Sequence, residues 1–483
     1  MIDAAIPAAP YVGYKGLPPL AGVCSMEDAL VRGLTVDESV SRLKRFHYAL
    51  KRLHGIFTPR LTAEPIYELK TAFSRHAYLA AESVAALRKR VGEMREPPLG
   101  LDEVPHPALE IFFDEILCSA LAEELILGLY AHAIPALAQS LERYVADTNP
   151  LADAPSVRVV RIARFELEEI ERYGEQAIAC LVPDRAKFAE WEQFLDSCLA
   201  AAGGLDGTSP ASDDVPDRTH SATPYQYDPV PRRDERFVDP YNGGVDPEAF
   251  LYDQRFSPRD KTVMMYYKRL REIDVPEMMA SIIHQTPDQP WGYYLDMTRQ
   301  LWDEARHSMM GEVGFASLGL DWSKIPVNFT WSLNLNTQLD PAERHAVLFF
   351  IEQSLMPKTG KRYEWEVAKL SGDPLSAVFQ DFDWADEVLH AAIGRNWYVK
   401  DFRDLQASLD YGEKCWNQVM IRFGEYREQG LTQHANWWPE IYRQACATWQ
   451  VEPDPQALDF KASYEEVDDL KGHLGVGAKI AAE

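Results

Sequence analysis

Two short stretches carry residues able to do chemistry: "WDEARH" at 302–307 and "ADEVLH" at 385–390. Glu304 and His307 stand three apart, so on a helix they share one face and can hold the same metal ion. Glu387 and His390 repeat that spacing, and each glutamate directly follows an aspartate, Asp303 or Asp386. A single Glu-x-x-His is most simply a solvated charged face. Two of them on separate helices are half of a dinuclear carboxylate centre, which also needs one glutamate from each of two further helices. Glu352 lies in the apolar run "HAVLFFIEQSL", where a lone carboxylate is costly to bury without a counter-charge. For the last ligand Glu272 and Glu277 both stay open. Depth counted from the turn near Asp288 favours Glu272, but Pro276 disturbs the helix between them.

Four carboxylates and two neutral imidazoles nearly cancel the charge of two divalent cations, so such a site can be buried. Mixed oxygen and nitrogen donors suit iron or manganese, and the lack of thiolates argues against a structural zinc. The second ring nitrogen of each histidine needs an acceptor. In an antiparallel helix pair Asp303 and Asp386 can each reach the histidine of the opposite helix, and Arg306 can neutralise one of them.

Those motifs resemble the ferritin-like diiron proteins, a class that includes the ribonucleotide reductase small subunit, methane monooxygenase hydroxylase and stearoyl carrier-protein desaturase. The run from "REIDVPEMMASIIHQ" to "LWDEARH", with "DWADEVLHAAIGRNWY", is more closely similar to a bacterial family of ferritin-like proteins whose activity is not established. The likeness covers roughly residues 257–400 and implies the fold and a metal site, but no substrate. One departure is Arg271, where that family usually has a histidine before the first glutamate of its paired-Glu helix. Residues 36–182 also resemble a ferritin-like bundle, in decayed form: His76 and Glu82 have the wrong order and spacing, and Ile170 and Glu171 stand where a histidine is needed. Carboxylates such as Glu124 and Glu168 remain, so a metal-free packing domain is expected there.

The elements that must position these groups are helical throughout. The chain has 483 residues, 46% hydrophobic and 11% aromatic, enough for two or three buried cores. From Val36 onward apolar residues recur at helical spacing; Leu43, Phe46, Leu50, Leu53 and Phe57 form the first stripe, with Thr35 or Asp37 as its cap. Four long helices with short connections are predicted before 202, the third running unbroken through "LEIFFDEILCSALAEELILGLYAHAIPALAQSLERYVAD". The expected organisation is an irregular segment 1–35, a degenerate helical bundle 36–202, an extended Pro/Gly/Asp-rich linker 203–256, a metal-binding bundle 257–400 and a helical extension 401–483. The fold class is thus all-α, two ferritin-like four-helix bundles in tandem with the N-terminal one degenerate. Asp340, Pro341 and Glu343 read as the start of one bundle helix and Asp373-Pro374 as the start of another.

Composition narrows the function classes. With 75 acidic against 49 basic residues and a formal charge of −26, the surface repels phosphate backbones and anionic lipid, so no nucleic-acid groove is expected. There is no uncharged apolar run long enough to span a membrane, and the opening residues lack a basic n-region; a cytoplasmic location is the expectation. The six cysteines have no Cys-x-x-Cys spacing and read as buried small hydrophobes. Met264, Met265, Met278, Met279, Met309 and Met310 read as packing. The leading function is an oxygen-activating oxidoreductase using two iron or manganese ions, with dioxygen or peroxide, an unknown organic substrate and an electron donor as partners. The alternatives are iron oxidation or peroxide removal of ferritin, rubrerythrin or manganese-catalase type, and a non-enzymatic scaffold with a structural metal site. Oligomeric state is left open, a homodimer included.

Overall fold

The computed structural model describes residues 11–94, 100–420 and 423–466. These residues form helices and connecting turns, with no β-strand among them, so the chain is all-α. It divides into two compact units, residues 1–56 with 79–226 and residues 57–78 with 227–483. None of the described helices is long and apolar enough to cross a membrane. The first ten residues and those beyond 466, including the end of the predicted C-terminal extension, lie outside the described residues.

The first unit takes residues 36–56 of α1 (Val36–Ala63) and 79–92 of α2 (Tyr67–Gly92), whose other residues belong to the second unit, with α3 (Pro107–Leu117), α4 (Ile134–Asp147), α5 (Ala154–Leu181) and α6 (Ala189–Ala201). The cap of α1 is Thr35, whose hydroxyl accepts from the Glu38 N–H while Glu38 accepts from the Thr35 N–H at 2.7 Å. All five residues of the predicted apolar stripe are buried. The third predicted helix is not continuous, however. It stops at Leu117, restarts at Ala122 and passes through a π-helical turn, Gly128–Ala133, before α4. The cause is local side-chain capping. The Ser119 hydroxyl donates to the Ile116 carbonyl at 2.8 Å, and Glu124 accepts from the N–H groups of Ala120 and Leu121, so one helix is closed and the next opened by polar groups that compete with the backbone. Glu124, one of the leftover carboxylates, is therefore a cap.

The second unit contains α7 (Pro258–Arg271), α8 (Asp274–Gln285), α9 (Trp291–Ser317), α10 (Thr330–Gln338), α11 (Pro341–Ser354), α12 (Lys361–Ser371), α13 (Pro374–Trp397), α14 (Leu405–Met420) and α15 (Trp438–Trp449). Asp340 and Glu343 form the reciprocal cap of α11, and Asp373 caps α13 through the N–H groups of Leu375 and Ser376. Helix α9 packs along α7 and α8; α13 lies against α9, α11 and α12; α14 lies against α11. The segment read as a linker carries buried Phe237, Val245, Phe250 and Leu251 and a short helix, Pro247–Tyr252; residues up to 226 belong with the first unit and the rest with the second. Phe250 and Phe256 share one apolar cluster with Trp438 and Tyr442 from α15. The cysteines are only partly as expected: Cys198, Cys415 and Cys446 are buried, Cys24 and Cys118 are half-buried and Cys180 is exposed. On α5 the Cys180 position falls on the polar face of an amphipathic helix, which residue type alone does not reveal.

Two histidines of the first unit link its stability to pH. Burial lowers both His47 and His54 to about 4, and for His47 the neighbouring Arg88 guanidinium, 3.1 Å from its Nε2, adds to the effect. Below about pH 6.5 the unfolded chain takes up protons that the folded one refuses. Stability contributed by each histidine is therefore complete above that pH and lost as pH falls toward about 4, by about 1.4 kcal/mol per pH unit at most. Denaturant melts at about pH 7 and about pH 5 should show the loss, and His54→Gln should flatten it; a pH-independent midpoint over that window would contradict this account.

Candidate metal centre

Four segments of the second unit bring their carboxylates and imidazoles together. Helix α7 ends at Arg271 with Glu272 as its C-terminal cap, because the ring of Pro276 would collide with the carbonyl four residues back, which is that of Glu272. The chain instead makes tight bonds from Glu272 N–H to the Arg269 carbonyl (2.9 Å) and from Val275 N–H to the Glu272 carbonyl (3.1 Å) before α8 begins. Glu272 thus sits at a corner and turns toward α9. The approach is close: a Cβ on Gly311 would lie 2.2 Å from the Leu270 backbone nitrogen, and on the far side a Cβ on Gly394 of α13 would lie 2.2 Å from the Phe349 ring of α11. Glycine at these two crossings lets α7 meet α9 and α13 meet α11 at ligand distance.

Three overlapping sets of donor atoms each lie within 4.8 Å of one another: Glu304, Glu352, Glu387 and His390; Glu272, Glu304 and His307; and His307, Asp383 and Glu387. The two imidazole centroids are 6.0 Å apart. His307 Nδ1 is 3.5 Å from both Glu272 and Glu304, and His390 Nδ1 is 3.1 Å from Glu304 without being aligned for a hydrogen bond. The outer nitrogens are engaged crosswise: His307 Nε2 lies 3.1 Å from Asp386 of α13, and His390 Nε2 lies 3.3 Å from Asp303 of α9. Arg306 donates to both aspartates at 2.6 Å, and Arg299 donates to Asp303 at 2.9 Å. Each histidine is so held by an aspartate of the other helix, which fixes its ring and leaves Nδ1 facing inward.

Glu277 is elsewhere. Its carboxylate, fully buried, pairs with Lys70 at 2.7 Å and with Arg233, and accepts from the Ser332 hydroxyl at 2.9 Å. It belongs to none of the three donor sets found among the described residues, so of the two glutamates left open by the sequence it is Glu272 that joins the cluster.

Three charged residues at the centre had not been singled out: Asp383, Lys361 and Arg269. Lys361 of α12, fully buried, contacts Glu387 at 2.8 Å, Asp383 at 2.9 Å and Glu272 at 3.8 Å. Arg269 pairs with Glu272 at 2.8 Å and with Asp383. Asp383 was within reach of pattern reading, since Asp383, Glu387 and His390 follow one another by four and three residues along one helical face. Lys361 and Arg269 lie in charged runs, "KTGKRYEWE" and "YYKRLRE", that look like solvated surface; nothing local marks them as buried.

The electrostatics follow from this crowding. Burial alone would raise Glu272, yet Arg269 and Lys361 hold it at about 2. Glu352, with burial and the Glu387 carboxylate both acting against ionisation, is pushed well above the usual range, while Lys361 keeps Glu387 well below it despite burial. Burial would lower His307, but Asp386, Glu272 and Glu304 raise it to about 10; Asp303 and Glu304 likewise raise His390. Every one of these shifts expresses one demand, positive charge among buried carboxylates. A metal ion bound here must displace protons from the imidazoles.

The donor set fits a divalent cation on its own geometry. His307 Nδ1, His390 Nδ1, Glu272 Oε2, Glu352 Oε2 and Glu387 Oε2 are buried and have no hydrogen-bond partner, and all five residues belong to the clustered sets. Buried polar atoms are ordinarily satisfied; inward-facing lone pairs that converge are what metal coordination uses. Comparisons with known protein families, curated proteins and solved structures found no match.

The two glutamates can be told apart experimentally. Glu277→Gln should destabilise the protein by about 3–5 kcal/mol, because two buried cations lose their partner, while leaving iron uptake per folded chain unchanged. Glu272→Gln should reduce iron uptake, measured by elemental analysis after anaerobic loading. The reverse pattern would place the ligand at Glu277.

Proposed function

We propose that this protein is a dinuclear iron or manganese carboxylate protein and an oxygen-activating oxidoreductase acting on an organic substrate. The observation that carries the reading is the convergence of five buried atoms without a hydrogen bond, from Glu272, His307, Glu352, Glu387 and His390. In this reading Glu272, Glu304, Glu352, Glu387, His307 and His390 hold the metal ions. Asp303 and Asp386 orient the imidazoles, and Arg306 and Arg299 pair with those aspartates. Helices α7, α9, α11 and α13 would form a ferritin-like bundle, and the N-terminal unit a bundle of the same descent without ligands. Two such ions, when bound, supply the reduction of dioxygen or peroxide coupled to oxidation of another molecule.

The chain's own residues do the rest. Helix α11 brings Glu352 to the centre from within an apolar run, in which Phe349 and Phe350 are buried. Gln300 donates to Glu352 Oε1 at 2.9 Å, fixing the carboxylate whose other oxygen faces inward. Lys361, in contact with Glu387 and Asp383, holds a proton beside the ligand carboxylates. An organic substrate is favoured over iron storage or peroxide removal because a cavity with one apolar side, Met278, Leu335, Leu355 and Trp416, adjoins Glu272; oxidising iron or peroxide alone needs no such space.

Anaerobic reconstitution with ferrous iron should give about two ions per chain, and admission of oxygen should change the visible and near-ultraviolet absorption. Less than about half a metal per chain after careful loading, for iron and for manganese alike, would overturn the reading. Peroxide turnover by the manganese-loaded protein, with no oxygen-dependent change in the iron form, would favour the detoxifying alternative.

A further inference from the structure

Helix α13 carries Asp383, Glu387 and His390 on its buried side. Its opposite side is open to solvent and largely apolar. Val378, Phe382, Val388 and Leu389 are between 39% and 58% exposed, Ala385 is exposed and Ala392 is half-buried. A surface helix ordinarily turns charged and polar residues to water, and apolar side chains gathered in one exposed stripe mark a contact surface. The spacing says what kind. Val378, Phe382, Ala385, Leu389, Ala392 and Asn396 follow one another at alternating steps of four and three, the seam of a coiled coil. Asp381, Val388 and Arg395 stand seven apart and run along one flank of that seam. On the other flank Asp386 and Ile393 are buried, so only one flank is free to meet another helix.

The stripe is complementary to itself. Let a second copy of α13 lie antiparallel on it, about a two-fold axis at the level of Glu387. Phe382 then meets Ala392 of the second copy, and Leu389 meets Ala385; symmetry repeats each contact. The inner layers thus set large side chains against small ones, the arrangement that lets facing helices interdigitate. The same register governs the flank, because in an antiparallel pair a flank meets its own counterpart. Asp381 faces Arg395 of the second copy, Arg395 faces Asp381, and Val388 faces itself. Arg395 Nη1 also donates to the Gln353 side chain at 2.7 Å, which holds the guanidinium at the edge of the stripe. A parallel pair has neither feature: Phe382 would meet Phe382, Ala385 would meet Ala385, and the charged flank would face the buried one. A formal charge of −26 opposes self-association. The stripe is where that opposition is least, since its two charged residues, Asp381 and Arg395, are of opposite sign and meet across the axis.

We infer that this side of α13 is the interface of a two-fold symmetric homodimer, in which two copies of α13 pack antiparallel with Phe382 and Leu389 as the principal knobs and Asp381 paired to Arg395 across the axis. The inference goes beyond the oxidoreductase reading and does not rest on it, because the residues it uses lie on the side of α13 away from the carboxylates and imidazoles.

Sedimentation equilibrium of the full chain at physiological salt tests it. The unaltered protein should form a dimer that dissociates on dilution. Phe382→Glu and Leu389→Glu should each give a monomer with unchanged helical circular dichroism, since both positions face solvent in the single chain. Asp381→Arg should weaken association about tenfold or more, because by symmetry it sets two pairs of arginines face to face. Arg395→Asp should do the same with two pairs of aspartates. The double variant, Asp381→Arg with Arg395→Asp, should return association to within about threefold of the unaltered chain. A monomer at about 100 μM unaltered chain would overturn the inference, and so would a dimer that survives both glutamate variants. Failure of the double charge variant to recover association would overturn the antiparallel register. Iron uptake measured on the same samples reports on the metal centre separately, so loss of the dimer and loss of the oxidoreductase reading are distinguishable.

Discussion

Five carboxylates enclosed with two imidazoles in the second unit set the terms for everything around them. Isolated ionised carboxylates are not tolerated in a low-dielectric interior, and several side by side repel one another as well. The protein meets part of the demand with its own cations, Arg269 and Lys361, which hold Glu272 and Glu387 ionised. It meets another part at the periphery, where Arg306 bridges Asp303 and Asp386. What remains is an excess of negative charge facing inward, beside nitrogen and oxygen atoms that have no hydrogen-bond partner. Groups so arranged are expensive to keep unless a cation joins them.

The backbone serves that arrangement. A straight helix through residues 258–285 would carry Glu272 and Glu277 at successive depths. The collision imposed by Pro276 splits it, leaving Glu272 at the corner beside α9 and sending Glu277 into a separate ion-pair network with Lys70 and Arg233. Gly311 and Gly394 then set how near the helices carrying these carboxylates and imidazoles can come. The cavity against Glu272 lies at the same corner, lined by Lys268 and Arg271 of α7, Asp274 and Met278 of α8, Trp331 and Leu335 of α10 and Trp416 of α14.

Much of this centre could be read from residue spacing. The pair of Glu-x-x-His turns, each with a preceding aspartate, is a local pattern, and local patterns survive in a sequence. Asp383 belonged to the same face as Glu387 and His390 and could have been read with them. Lys361 and Arg269 could not, since a buried cation is distinguished from a solvated one only by partners distant in the chain. The choice between Glu272 and Glu277 turned on how the chain bends at Pro276, a three-dimensional outcome that counting residues does not give. In the first unit the apolar stripe of α1 was legible from its period, whereas the interruption near Ser119 arose from hydroxyl and carboxylate capping inside an otherwise helical run. The irregular stretch 203–256 has no period to read, yet Phe237, Val245, Phe250 and Leu251 are buried: apolar residues bury wherever the chain can fold over a core, with or without regular structure.

The central claim is that two cations belong among these side chains. Anomalous X-ray diffraction at the iron and manganese absorption edges, on crystals of protein taken from its native host, tests it most directly. The account predicts two anomalous peaks about 3.5–4 Å apart, one near Glu304, Glu352, Glu387 and His390 and the other near Glu272, Glu304 and His307. Absence of anomalous signal at that place, or metal bound only at the protein surface, would contradict it.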